Sequence, residues 1–219
     1  MTRSRKTTDG APATTSMSRR ILDEAARLFY EDGFPATTVR KITAACGVTA
    51  GSLYNHYGSK EEVLYAILKR AHEDSERILE EGLLRGGDRA DRQLAELVRE
   101  LTLFHTERRI EGLVARTEWR HLPPDQAKEV LDAQQRVRRI FERTLERGLN
   151  TGRFRLNDPR SPGPARVDVV AKAILDMCIN AGQWFRPDGG LSAQELADQY
   201  AFLVLQLVGA APEAGDRES

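Results

Sequence analysis

Residues 37–60, TTVRKITAACGVTAGSLYNHYGSK, constrain this chain more than any other stretch. They read as two short helices separated by a tight turn and followed by the start of a long third one. Val39, Ile42, Ala45, Cys46, Val48 and Leu53 supply an apolar seam at helical spacing. Thr38 is positioned to cap the first helix, and Gly47 to take the left-handed conformation that the turn needs. The seam leaves a small, hydrogen-bonding outer face on residues 49–56, made of Thr49, Ala50, Gly51, Ser52, Tyr54, Asn55 and His56. Such a face suits close approach to a DNA groove. In a helix-turn-helix the start of the second helix reaches base edges, here Thr49 to Ser52. Hydroxyls and basic side chains meet phosphates and fix the register, a role that suits Thr38, Tyr54, His56 and Lys60, while Arg40 reaches a base or a phosphate. A packed helical corner that merely meets water would explain a short stretch of this kind, but not the whole pattern.

Residues 18–65 resemble the N-terminal domain of the TetR family of one-component bacterial transcriptional repressors. The resemblance is carried by TTVRKITAACGVTAGSLYNHYGSKEEVLY: a Thr-led helix, Gly-Val, a Ser-Leu-Tyr-x-His-Tyr recognition helix and a Ser-Lys-Glu-Glu start to the next helix. It implies an all-α chain, a three-helix DNA-binding head and a larger helical domain that binds a small effector and pairs with a second copy. It also implies that the fourth helix is the connector whose tilt sets the spacing of the two heads.

Net charge first argues against nucleic acid, because the chain carries 33 Lys and Arg against 33 Asp and Glu. The distribution reverses that reading. Residues 1–60 hold nine basic and five acidic side chains, a net of +4, so residues 61–219 carry −4. The positive excess coincides with the proposed DNA-reading element. No apolar run approaches the roughly 20 residues of a membrane helix, and the polar first fifteen residues lack the apolar centre of a signal peptide. A cytoplasmic protein is expected. Cys46 and Cys178 lack metal-ligand spacing and read as reduced, packed thiols.

In chain order, residues 1–16 read as a disordered tail, and Ile21, Leu22, Ala25, Leu28 and Phe29 mark a first helix over 18–32. The head spans 17–63. A domain over 64–211 follows, with a flexible tail at 212–219. Ser59-x-x-Glu62 opens the fourth helix as a capping box, with Gly82 and Gly86-Gly87 as its stops. Helices five and six follow, the latter over 110–121. Pro123-Pro124 starts a seventh to Arg147, closed by Gly148 and Gly152. A proline-bearing loop covers 155–164. An eighth helix spans 165–184, and Ser192-x-x-Glu195 caps a ninth, with Leu191 and Leu196 as a hydrophobic staple. About nine helices are expected and no sheet.

Helices eight and nine are apolar on more than one face, so one face is available to a second copy. Ile174, Met177, Tyr200, Leu203, Val204 and Leu207 are the expected dimer contacts. The phrases GLVARTEWRHLPPDQAKEV, RTLERGLNTGRF and ILDMCINAGQWFRPDGGLSAQELADQY are similar to the TetR subgroup that represses fatty-acid and sterol degradation, which implies an acyl-CoA effector. Phe104, Trp119, Phe141 and Trp184 are candidates for the apolar channel, and Arg116, Arg120, Arg138, Arg139 and Arg186 for the phosphates. Asn180 and Gln183, in the apolar eighth helix, need partners, as do His105 and His121. His72, on the connector, reads as exposed or packed. Hydrophobic drug-like efflux substrates are the alternative effectors. An enzyme has little support: there is no phosphate-cradling glycine loop, no metal-ligand spacing and no nucleophile set, and no cofactor is implied.

Overall fold

The computed structural model describes residues 13–156 and 163–210. Among these the chain is all-α, with no strand. The helices are α1 (Ala13–Asp32), α2 (Val39–Cys46), α3 (Ala50–Tyr54), α4 (Lys60–Gly86), α5 (Ala90–Glu107), α6 (Arg109–Thr117), α7 (Pro124–Asn150), α8 (Val167–Trp184) and α9 (Ala193–Leu207). A short 3₁₀ turn, Glu118–His121, joins α6 to α7. Helix α1 starts five residues before the expected position, inside the stretch read as a tail. The remaining tail positions and residues 157–162 of the proline loop lie outside the described residues. The expected sixth helix is divided, because the chain tightens into the 3₁₀ turn after Thr117.

Two apolar clusters organise the helices. The first gathers Ile21, Ala25 and Phe29 of α1, Ile42 of α2, Leu53 of α3 and Val63 to Ala71 of α4. It runs on without a break into Phe104 of α5, Val114 and Ala115 of α6, Leu122, and Val130 of α7. The second gathers Leu79 of α4, Leu94 to Leu101 of α5, Phe141 and Leu145 of α7, Ile174 and Cys178 of α8, and Val204 of α9. At 27 residues, α4 is about 40 Å long and contributes to both clusters. Helix α5 lies innermost, packed on α4, α7, α8 and α9. Among the described residues no helix is long and apolar enough to cross a membrane.

The caps follow the sequence closely. Ser59 Oγ accepts the backbone N–H of Glu62 at 3.1 Å, but the Glu62 carboxylate takes the N–H of Gly58, at 2.7 Å, so the expected reciprocal box is only half made. The box at α9 is complete, with Glu195 accepting the Ser192 N–H at 2.8 Å. Leu191 and Leu196 share a small cluster with Phe185, as a staple requires. Gly82 does not stop α4; it lies inside the helix against Glu96 of α5, and the helix ends at Gly86.

Gly86 allows the closest passage of the α4 end over α5. A Cβ there would lie 2.5 Å from Gln93 Cα and 2.6 Å from Gln93 N, which is backbone and cannot swing aside. Alanine would gain about 0.5–1 kcal/mol in helix entropy but would force α4 and α5 apart, at about 1–3 kcal/mol. Gly86→Ala is expected to lower the urea unfolding midpoint; an unchanged or raised midpoint would mean that the two helices separate without cost.

Candidate DNA-reading head and effector cavity

The head is built from short helices held by caps. Thr38 Oγ1 accepts the Lys41 N–H at 3.2 Å to start α2, and Gly47, at φ 63°, ends it by donating to Ala44 O. Thr49 Oγ1 accepts the Ser52 N–H at 3.2 Å to start α3. Leu53 is fully buried beneath α3, while Thr49, Ala50, Gly51, Tyr54 and Asn55 are exposed and Ser52 and His56 half-buried. Most of the residues expected to read DNA are therefore open to solvent, as are Thr38 at the start of α2 and Arg40 within it. Tyr57 OH and Ser18 Oγ, 2.7 Å apart, tie the end of this element to α1.

Lys60 differs from its sequence reading as a phosphate ligand. Its ammonium turns inward, donating to Phe34 O at 2.8 Å and Thr37 O at 2.9 Å, and lies 4.1 Å from the centre of the Phe34 ring. Those carbonyls belong to the α1–α2 turn, which Thr37 also braces by donating to Leu28 O and Gly33 O. The Phe34 ring stacks on His121 of the 3₁₀ turn, with centroids 5.0 Å apart. Arg109 of α6 adds a further tie, donating to Gly182 O of α8 at 2.7 Å and to Tyr30 OH of α1 at 3.1 Å.

A cavity of about 600 Å³ opens between α4, α5, α6, α7 and α8. Of the expected ligand residues, Phe104, Arg116, Trp119 and Arg138 line it. Asn180 reaches its edge by accepting a hydrogen bond from Arg116, and Gln183 donates in turn to Asn180 at 3.3 Å. The other candidates lie elsewhere. Phe141 is fully buried in the second cluster; Arg120 stands exposed above the Trp119 ring, and exposed Arg139 leans on Gln135. Arg186 is exposed, holding the carbonyls of Gln183 and Phe185. Trp184 is half exposed beside Tyr200, its ring centroid 6.4 Å away. Helical periodicity gives the faces of α7 and α8 but not which face meets the cavity.

Sequence reasoning missed Ser75, Gln134, Lys172 and Asp176 in the lining, and it read His72 as merely exposed or packed. The signal for the first was a polar pair, His72 and Ser75, interrupting the buried stripe of α4. Two of the lining cations form ion pairs: Arg138 Nε lies 3.2 Å from Glu142, though without making a hydrogen bond, and Lys172 Nζ lies 3.5 Å from Asp168. The interior is different. Burial pushes His105 down to about 4, helped by the nearby His72 and Arg116. Burial also lowers His72, against the pull of Glu76. Both imidazoles are therefore neutral near pH 7. The two thiols are free and buried, with Cys178 pushed up to about 12 by burial.

On the far side, α8 and α9 present an apolar face that is not the one expected in full. Ile174 and Val204 are buried within the subunit's own second cluster, and Met177 and Tyr200 pack against it. Leu203 and Leu207 are more than half exposed, as are Val169, Trp184 and Phe202, which the sequence reading did not include as contacts.

Residues 21–67 match the family described as bacterial regulatory proteins, tetR family, and residues 87–208 the family described as tetracyclin repressor-like, C-terminal domain. The HTH-type transcriptional repressor KstR2 of Mycobacterium tuberculosis is 30% identical over 192 residues, covering 84% of this chain and 89% of its own length. Among solved structures, the ketosteroid transcriptional regulator KstR2 of that organism superposes with a TM-score of 0.77 at 25% identity, over 95% of this chain and all of its own. AibR, solved in complex with isovaleryl coenzyme A and operator DNA, superposes with a TM-score of 0.74 at 26% identity, over 89% of this chain and 100% of its own.

His105, in the cavity wall, sets a pH dependence. An imidazole held below its ordinary 6.5 in the fold takes up a proton on unfolding, so acid favours the unfolded chain. Stability is expected to fall as pH drops from 6.5 towards 4, by up to about 1.4 kcal/mol per pH unit for this site, and His105 adds no slope below about 4. Urea unfolding across that window should fall less steeply in His105→Gln than in the unsubstituted chain. Equal slopes would show that His105 titrates as it does in the unfolded chain.

Proposed function

The chain belongs to the TetR family of bacterial regulatory proteins, and we propose that it works as a homodimer on a near-palindromic operator, released by an acyl-CoA thioester of lipid or sterol catabolism. It is a DNA-binding transcriptional repressor of that family, not an enzyme. Residues 17–63 act as the DNA-reading domain and 64–211 as the effector and dimerisation domain, with α4 shared between them. Val169, Trp184, Phe202, Leu203 and Leu207 meet the same face of a second copy, which sets two reading heads about one DNA turn, roughly 34–36 Å, apart. Thr49 to Ser52 approach base edges; Thr38, Arg40, Tyr54, Asn55 and His56 hold the backbone. A DNA operator as partner makes the working protein cytoplasmic.

The observation that carries the effector reading is the makeup of the cavity. Its wall is largely apolar, from Leu101, Phe104, Trp119, Leu131, Val137 and Ile179, while Arg116, Arg138 and Lys172 also line it. An acyl chain asks for the former and the phosphates of coenzyme A for the latter. The KstR2 relatives, and the AibR structure with its coenzyme A ester, support that class. Release is a population shift. A ligand that prefers the splayed arrangement of heads weakens operator binding by its differential affinity, typically about 1–3 kcal/mol.

The test is fluorescence anisotropy of the dimer on DNA from its own upstream region, titrated with acyl-CoAs and the matching free acids. Release by the CoA esters alone is expected. Release by lipophilic dyes but by no CoA ester would assign the protein to efflux control instead.

Substitutions should separate contact from support. Tyr54→Ala removes an exposed phosphate partner and is expected to weaken the operator complex about tenfold with the unfolding midpoint unchanged. Lys60→Met removes two charge-assisted hydrogen bonds within the head and is expected to cost about 2 kcal/mol of stability. A Lys60→Met protein of full stability but reduced DNA affinity would restore Lys60 to the phosphate contacts.

A further inference from the structure

Polar groups in the cavity are left without a hydrogen-bond partner from the protein itself. His105 of α5 sets its imidazole edge-on to Phe104, with centroids 5.3 Å apart, and lines the cavity. Neighbouring helices are cut back around it. A Cβ on Gly112 of α6 would lie 2.6 Å from its Nδ1, and a Cβ on Gly182 of α8 would lie 2.5 Å from its carbonyl oxygen. Both helices close on this residue only because they carry glycine there. Yet neither ring nitrogen of His105 hydrogen-bonds to a described residue, and burial is the main influence on its proton affinity. His72 of α4 lines the same cavity, and its Nε2 is likewise without a partner. An imidazole that is half-buried, lines a cavity and has no protein partner is free to hydrogen-bond to whatever fills that cavity.

The chemistry of that partner follows from the charge. A neutral imidazole offers one donor and one acceptor, and no ion pair. It matches a ketone, which accepts, or a hydroxyl, which does both, and gives a carboxylate little advantage. The cations that would hold anionic groups are other side chains of the same lining, of which Arg116 and Lys172 are exposed. We propose that His105 reads an uncharged oxygen function, a ketone or hydroxyl, carried on the apolar body of the effector. The effector is then an oxygenated acyl chain or ring, not a plain hydrocarbon one. His72 is the second polar group available to the same function. The thioester half of that description rests on the acyl-CoA reading; the oxygen contact does not.

The test uses two matched pairs on the full-length chain: decanoyl-CoA against a series of its mono-oxo derivatives, and decalin against decalone without coenzyme A. Binding is read from the fluorescence of Trp119, which lines the cavity. A single buried neutral hydrogen bond should give about a tenfold preference for decalone and for at least one oxo ester. His105→Phe keeps the ring contact with Phe104 and should erase the preference while still binding decanoyl-CoA; His105→Gln should retain part of it. If the phenylalanine variant fails to fold, His105→Leu takes its place. No preference in the unsubstituted chain, or an undiminished preference in His105→Phe or His105→Leu, would overturn the proposal. Operator release by decanoyl-CoA without any oxo preference would sink this contact and leave the acyl-CoA reading standing. A His105-dependent preference for decalone, with no CoA ester bound, would do the reverse.

Discussion

Everything in the molecule hangs on α4 being one unbroken helix buried at both ends. Its first half closes the core of the reading head, through Val63, Leu64, Ile67 and Leu68, and its second half enters the core beneath α5. Between the two, Ala71, His72 and Ser75 form part of the cavity wall. The helix carries no proline to kink it between the wall and its N-terminus, so a displacement at the wall is passed along it. There Lys60 grips the α1–α2 turn through two carbonyls and the face of Phe34.

The grip has a second jaw. His121 stacks on Phe34, and it lies two residues after Trp119, which lines the cavity with Gly112, Ala115 and Arg116 of α6. Phe34 is thus held between α4 and the end of α6, both of which border the same space. An occupant that spreads those two elements pulls on both sides of a single aromatic ring. Arg109, bridging Gly182 and Tyr30, joins α8 to the same mechanical path.

The parts legible in the sequence are those fixed by local chemistry. Thr38, Gly47 and the Ser192–Glu195 box do in the structure what their residue types imply, because a cap depends on a few neighbouring dihedrals. The site residues were harder to read, for a definable reason. Lys60 at a helix start looks the same whether its ammonium faces a phosphate or two carbonyls; the α1–α2 turn decides, and its shape is tertiary. Phe141 and Phe104 have equal claims on paper, yet one is sealed in the second cluster and the other borders the cavity. On α8 and α9 the apolar surplus was visible, but Ile174 and Val204 went to the internal core while Val169 and Phe202 were left outside.

The shortness of α3 has a consequence of its own. Five residues are too few to sustain a helix in water, so its form is imposed by Leu53 beneath it and by the Thr49 cap. The surface offered to DNA is therefore finished before contact, and its ordering entropy is spent when the chain folds. Association with an operator then resembles the docking of two rigid bodies, with the small heat-capacity change of a polar, preformed interface and not the large one of a segment that folds as it binds.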